Sequence, residues 1–249
     1  MIFAAGLGTR LRPFTDTMPK ALLPLGGKTL LEYQILRLRD AGITDIVINV
    51  HHFADKIVEY LRANNNFGCR IQLSDERERL LDTGGGLLKA ATLLCDSPLQ
   101  DEPVLACNVD ILSNIDIASL VAAHKDDTLA TLVVSERVTQ RYLLFDDDLK
   151  MEGWTNIATG ERRPAELDAE TAARARQLAF SGMQVLSPRI FPLMEEVRKE
   201  KGDKFSLIDL YLSLCRSETI RAFVPKDYRM MDVGKTDQLS AAEEFAASL

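Results

Sequence analysis

Histidine and cysteine are scarce in this chain, with 3 and 4 respectively in 249 residues. Cys69, Cys95, Cys107 and Cys215 form no Cys-x-x-Cys pair, and His51, His52 and His124 lack zinc-ligand spacing. That argues against a zinc site. Three of the cysteines lie in apolar runs and read as buried thiols, without a disulfide framework. A reducing, cytoplasmic setting follows as an expectation. Positive charge is also short: 30 Lys and Arg stand against 37 Asp and Glu, for a net charge of −7. Surfaces that bind nucleic acid are usually basic, so no nucleic-acid partner is expected. No apolar run is long enough to span a membrane, and residues 1–5 are too short for the apolar core of a signal peptide. A cytosolic protein with no membrane partner is the expectation.

Hydrophobic residues make up 46% of the chain and charged residues 27%, which suffices for one large core. No repeat, low-complexity tract or linker interrupts it. The expectation is one domain over 1–249, with an insertion at about 135–180 on the substrate side.

Periodicity sets out the elements. Apolar residues at helical spacing predict helices over 28–41, 53–63, 87–94, 116–125, 188–199, 206–216 and 238–248. Short β-branched or apolar runs predict strands over 1–5, 45–50, 69–73, 104–107, 128–134, 142–145, 177–186, 220–224 and 228–233. The segment Thr83-Gly84-Gly85-Gly86 reads as a loop, and 150–176 as a hairpin or irregular excursion. The opening order is β-α-β-α-β. This predicts an α/β, Rossmann-like mixed and mostly parallel sheet with helices on both faces.

Chemistry concentrates where strands end, as is usual for open parallel sheets. The first strand breaks into Ala4-Ala5-Gly6-Leu7-Gly8-Thr9-Arg10, and Lys20 follows between Pro19 and Pro24. Glycines let backbone N–H groups approach phosphate oxygens, and fixed cations hold the charge. Neither familiar phosphate motif is present. Leu11 stands where a dinucleotide fingerprint needs a third glycine, and no Gly-Lys-Ser/Thr follows. Asp110 and Asp232 end two further strands. Read singly, each serves equally well as a cap of a turn or helix. Facing a polyphosphate together, they make sense with a magnesium ion between them.

These residues resemble the signature of the sugar-phosphate nucleotidyltransferase family. Ala4-Ala5-Gly6-Leu7-Gly8-Thr9-Arg10-Leu11-Arg12-Pro13 with Pro19-Lys20-Ala21-Leu22-Leu23-Pro24 is similar to its opening pattern. Leu81-Asp82-Thr83-Gly84-Gly85-Gly86, Asn108-Val109-Asp110, 180–185 and Met231-Asp232-Val233-Gly234 match later segments in order. The likeness covers nearly the whole chain and is similar to the short bacterial members. It implies transfer of a nucleotidyl group from a nucleoside triphosphate to a sugar 1-phosphate, with pyrophosphate released. By that resemblance Arg10, Lys20 and Asp110 are catalytic. Ala5, Gly6, Gly8, Thr9, Arg10, Lys20, Thr83, Gly84 and Gly85 bind nucleotide. Asn108, Trp154, Asn156 and Gly182 face the sugar, and Asp110 and Asp232 bind Mg2+.

Three departures stand out. Val109 replaces a usual glycine, Ala21 replaces a usual proline, and no Glu-Lys-Pro segment occurs near Glu152-Gly153-Trp154. The favoured substrates are UTP and an amino-sugar 1-phosphate such as N-acetylmuramate 1-phosphate. The alternatives are GTP with mannose 1-phosphate, or a catalytically silent subunit that binds nucleotide sugars. A monomer or small homo-oligomer is expected.

Overall fold

Alternation of apolar side chains lays down the sheet, and amphipathic helices cover it. The computed structural model describes residues 1–95 and 102–249. The chain opens with β1 (Ile2–Phe3), β2 (Pro24–Leu25), β3 (Lys28–Thr29), α1 (Leu30–Asp40), β4 (Asp45–Val50), α2 (Ala54–Ala63) and β5 (Arg70–Asp75). It continues through α3 (Asp82–Lys89), α4 (Ala91–Cys95), β6 (Val104–Asn108), β7 (Ile111–Ser113), α5 (Ile117–Ala123), β8 (Ala130–Ser135) and β9 (Arg141–Phe145). Next come β10 (Met151–Asn156), β11 (Glu161–Arg163), α6 (Ala169–Arg174), β12 (Arg176–Leu186) and α7 (Ile190–Lys201). The chain closes with α8 (Leu207–Leu214), β13 (Ile220–Phe223), β14 (Met230–Asp232) and α9 (Leu239–Ala247).

Successive strand residues point to opposite faces, and the core divides accordingly. Ile2, Ile46, Ile48, Leu105 and Cys107 pack on one face with α1, α2, α5 and α9. Phe3, Val47, Val104 and Ala106 pack on the other with α3, α7 and α8. The mixed sheet with helices on both faces is thus as expected. Its nucleus, β6-β1-β4-β5, is parallel. β12 joins this nucleus to an antiparallel set. It pairs with β6 at 183–186, with β9 at 176–178, and with β8 on both sides of a register break between Phe180 and Gln184. Ser181 and Gly182 fall in that break. The excursion at 150–176 is a hairpin of β10 and β11 followed by α6.

Helix starts are set by short polar side chains. Thr29 caps α1 by accepting from the Glu32 N–H at 3.1 Å. Asp116 caps α5 by accepting from the Ala118 N–H at 3.0 Å. Two expectations need correction. Lys28 and Thr29 are not helical. They pair with Pro24 and Leu25 across Gly26-Gly27, both at positive φ, the turn that suits a two-residue hairpin. The Thr83-Gly84-Gly85-Gly86 segment is not a loop but the first turns of α3. Its early N–H groups, unpaired within any helix, find a partner outside it. Gly84 and Gly85 both donate to the Phe205 carbonyl, at 2.9 and 3.2 Å.

Candidate active site

Three strand ends are locked together by a buried polar network, and the glycine loop starts from it. The Ala4 N–H donates to Asn49 Oδ1 at 2.7 Å. Asn49 Nδ2 donates to Glu76 Oε1 at 2.7 Å, and the Leu81 N–H donates to Glu76 Oε2 at 3.0 Å. Glu76 is fully buried. Neither Asn49 nor Glu76 was expected at the site from the sequence, yet both line its cavity. The signal available was Asn49 itself, a polar interruption of the run Ile46-Val47-Ile48-Asn49-Val50.

The loop then closes on itself. Gly8 has φ +64°, and a Cβ there would lie 2.8 Å from Thr15 Cγ2, so only glycine fits without strain. Its carbonyl accepts from Thr15 Oγ1 at 2.8 Å and from the Leu11 N–H at 2.9 Å. Gly6 has nothing near its missing Cβ and faces open space.

The charges converge from distant segments. Lys20 is 8% exposed, and its Nζ donates to Asp110 Oδ2. Asp110 follows β6 and accepts through its carbonyl from the Val233 N–H at 2.9 Å, which fixes the end of β14 beside it. Asp232, at the end of β14, is exposed. Partial withdrawal from water, then the neighbouring Asp110 carboxylate, push its carboxyl above the usual range, against the pull of Lys20, Arg10 and Arg137. A Cβ on Gly234 would lie 3.0 Å from Asp232 Oδ1 and 3.3 Å from Arg10 Nη2. Glycine there leaves room for both the Arg10 and Asp232 side chains beside the backbone.

Arg10, Lys20 and Asp110 border a cavity of about 470 Å³, whose lining does not include Asp232. Ala5, Gly6, Gly8, Thr9, Arg10, Lys20, Thr83, Asn108 and Asp110 all line it. Gly84 and Gly85 do not. A Cβ on Gly84 would lie 2.4 Å from the Phe205 ring, and one on Gly85 2.0 Å from the Asp203 carbonyl oxygen. These two glycines admit the 203–205 segment. Gly182 has φ +70° and sits against Asn108 and Ile111, next to the cavity wall. Trp154 and Asn156 line a second cavity of about 580 Å³, and Asp82 lines both. His51 is engaged with the Glu76 carbonyl at 2.6 Å, and the His52 ring packs on Phe53. Cys69, Cys107 and Cys215 are buried thiols outside any disulfide, and Cys95 is partly buried.

Among the described residues, no group of three or more His, Cys, Asp or Glu side chains gathers as a metal cage. The Asp110–Asp232 pair offers carboxylate oxygens alone. That donor set suits a hard ion that completes its shell with phosphate oxygens and water. The Asp110 charge, which helps raise the proton affinity of Asp232, also favours a cation between the two.

Comparison with known proteins bears on the family and the fold. Over 112 residues the chain is 45% identical to an N-acetylmuramate alpha-1-phosphate uridylyltransferase of Caulobacter vibrioides, covering 44% of each chain. It is 28% identical over 253 residues to a mannose-1-phosphate guanyltransferase of Yarrowia lipolytica, covering 100% of this chain and 64% of that one. The matched stretches therefore span less than two thirds of those relatives' own lengths. The fold is that of HddC from Yersinia pseudotuberculosis complexed with GMP-PN, with a TM-score of 0.74 at 22% identity, covering 98% and 97% of the two chains. Among the described residues, no helix is long and apolar enough to cross a membrane. The model of the Nucleotidyl transferase family matches residues 1–248, and the chain belongs to that family.

Proposed function

We propose that the protein transfers a nucleotidyl group from a nucleoside triphosphate to a sugar 1-phosphate. The observation that carries this reading is the Lys20–Asp110 pair, set under a glycine loop and facing Asp232 and Arg10. An oxygen of the sugar 1-phosphate attacks the α-phosphorus. The bond from that phosphorus to the β-phosphate bridge breaks, and pyrophosphate leaves. The nucleophile is already an anion, so no general base is required. Positioning and charge neutralisation supply the catalysis.

The loop of Ala5, Gly6, Gly8 and Thr9 cradles the triphosphate. Lys20 holds the α-phosphate, and Arg10 holds the departing pyrophosphate. Thr83 lies beside the nucleobase. Gly84 and Gly85 contribute by letting residues 203–205 close against α3. Asp110 and Asp232 are the residues that would hold Mg2+, which would offset the charge of the phosphate oxygens. Gly182 admits the sugar ring beside Asn108, with Trp154 and Asn156 in the adjoining cavity.

The favoured substrates are UTP and an amino-sugar 1-phosphate such as N-acetylmuramate 1-phosphate, in the cytoplasm. The 45% match to the Caulobacter enzyme supports this choice. A second reading is GTP with mannose 1-phosphate, which the full-length likeness to the Yarrowia enzyme favours. Pyrophosphate release across a panel of nucleoside triphosphates and sugar 1-phosphates tests both. The expected result is highest kcat/KM with UTP and N-acetylmuramate 1-phosphate. No release with any pair would leave a silent binding subunit instead.

A further inference from the structure

The second cavity carries more charge than a neutral sugar ring requires. The register of β9, β10 and β11 sets two rows of side chains on its floor. Arg141 stands opposite Asn156, and Asn156 opposite Glu161. Leu143 stands opposite Trp154, and Trp154 opposite Arg163. Directly opposed residues share a face of the sheet, and all six border the cavity.

The two arginines of this floor differ in their surroundings. Arg163 is paired with Glu161 at 2.8 Å and with Asp209 at 3.4 Å, and its guanidinium lies over the Trp154 ring at 5.1 Å. Its charge is already answered. Among the described residues, the Arg141 guanidinium has no ion pair and no hydrogen bond; only its backbone N–H is engaged, with Thr139 Oγ1 at 3.4 Å. Arg137, on the loop that leads into β9 and in the same cavity, donates to the Phe180 carbonyl at 3.1 Å, has no ion pair among the described residues, and is close enough to act on Asp232. Three arginines and three carboxylates, Asp82, Glu161 and Asp209, line this cavity; with Glu161 and Asp209 taken by Arg163 and Arg137 turned toward Asp232, the Arg141 guanidinium remains as a donor fork for an anion.

A neutral hexose 1-phosphate brings one anionic group, the phosphate, which must lie toward Lys20 and Asp232 for the reaction proposed above. Arg137 acts at that end. Arg141, on the row with Asn156 and Glu161, has no phosphate to meet there. A guanidinium presents a planar fork of donors that matches a carboxylate. We infer that Arg141 is a specificity-determining residue, receiving a carboxylate borne by the sugar. The cavity then selects an acidic amino-sugar 1-phosphate over its neutral counterpart. This rests on the nucleotidyl-transfer reading of the adjoining site.

The test compares two probes that differ only in the carboxylate-bearing substituent, N-acetylmuramate 1-phosphate and N-acetylglucosamine 1-phosphate, each with UTP. The quantity read is the ratio of their kcat/KM values. The wild type favours the acidic sugar, and Arg141→Gln lowers the ratio by roughly ten- to a hundredfold, the worth of a charge-assisted hydrogen-bonded pair. Arg141→Lys restores part of it. A ratio unchanged in Arg141→Gln overturns the inference, as does a wild-type ratio at or below one. If the wild type releases pyrophosphate with neither sugar, the choice of UTP and an amino-sugar 1-phosphate fails on its own. Arg141 is then judged by binding of free N-acetylmuramate against N-acetylglucosamine, followed by ligand-observed NMR on the intact protein. Tighter binding of the acidic sugar that Arg141→Gln abolishes upholds the inference, and equal binding overturns it.

Discussion

Lys20 is held in its working position before substrate arrives. Its side chain is 10% exposed, that of Asp110 is 21% exposed, and the two are joined as an ion pair. A charge fixed in a partly dry site needs little reorganisation as the transition state forms. Lys20→Ala and Asp110→Ala are each expected to lower kcat for pyrophosphate release by about two orders of magnitude or more. Near wild-type turnover in either variant would remove the assignment. The same cluster makes a titration prediction. Asp232 has its carboxyl raised by partial desolvation and then by the Asp110 charge. Removing a like charge favours the ionised form, and Lys20, released from Asp110, acts the same way. In Asp110→Asn, carboxyl NMR is therefore expected to show Asp232 titrating at lower pH than in the wild type. At this scale the charged residues were readable because cations and carboxylates at strand ends are conspicuous. Asn49 and Glu76 were not, because their role depends on hydrogen bonds between segments that only the sheet brings together.

Among the elements, α3 shows how tertiary contact overrides local preference. Glycine in a helix interior is disfavoured by about 1 kcal/mol relative to alanine, so Thr83-Gly84-Gly85-Gly86 reads as a loop. The helix forms because the Phe205 carbonyl takes two of its orphan N–H groups and Leu207 donates to Thr83 Oγ1 at 3.0 Å. The missing side chains are what allow that approach. Gly85→Ala is therefore expected to destabilise the protein by about 1–3 kcal/mol in urea unfolding, although alanine is the better helix former. The listener for this effect is backbone, the Asp203 carbonyl at 2.0 Å from the added Cβ, which has little freedom to move. Gly6→Ala serves as the contrast, since its Cβ meets nothing within 4 Å. A stabilised Gly85→Ala would mean that the 203–205 segment does not sit on α3. The neighbouring hairpin teaches the converse lesson. Gly26-Gly27 is a local signal that needs no tertiary partner, and it was available in the sequence.

The whole molecule is joined at β12. The N-terminal half was legible as a β-α-β series because each buried strand is a short apolar run. The stretch from 135 to 180 was less so, because β10 and β11 carry alternating and charged residues such as Glu161, Arg162 and Arg163. The 135–180 insertion nonetheless shares its core with the rest of the chain. Leu143, Phe145, Met151 and Leu178 belong to the same buried cluster as Val104, Leu132, Leu210 and Tyr211. Elements that share one core unfold together. Trp154 is the single tryptophan and lies within the insertion, so its fluorescence follows that region, while far-UV circular dichroism follows the entire chain. The two urea curves are expected to superimpose; an earlier fluorescence transition would make the insertion an independent unit. Tyr211 provides the internal check. Its hydroxyl donates to Gln184 Oε1 at 3.0 Å, linking α8 to β12, and burial pushes its pKa above the ordinary range, so it remains a donor across the working pH. Tyr211→Phe leaves the buried Gln184 oxygen without this partner, at a cost of about 1–3 kcal/mol. Because β12 serves both halves, that loss is expected to move both curves to lower urea by the same amount. A shift confined to one probe would place the mechanical division of the molecule at β12 itself.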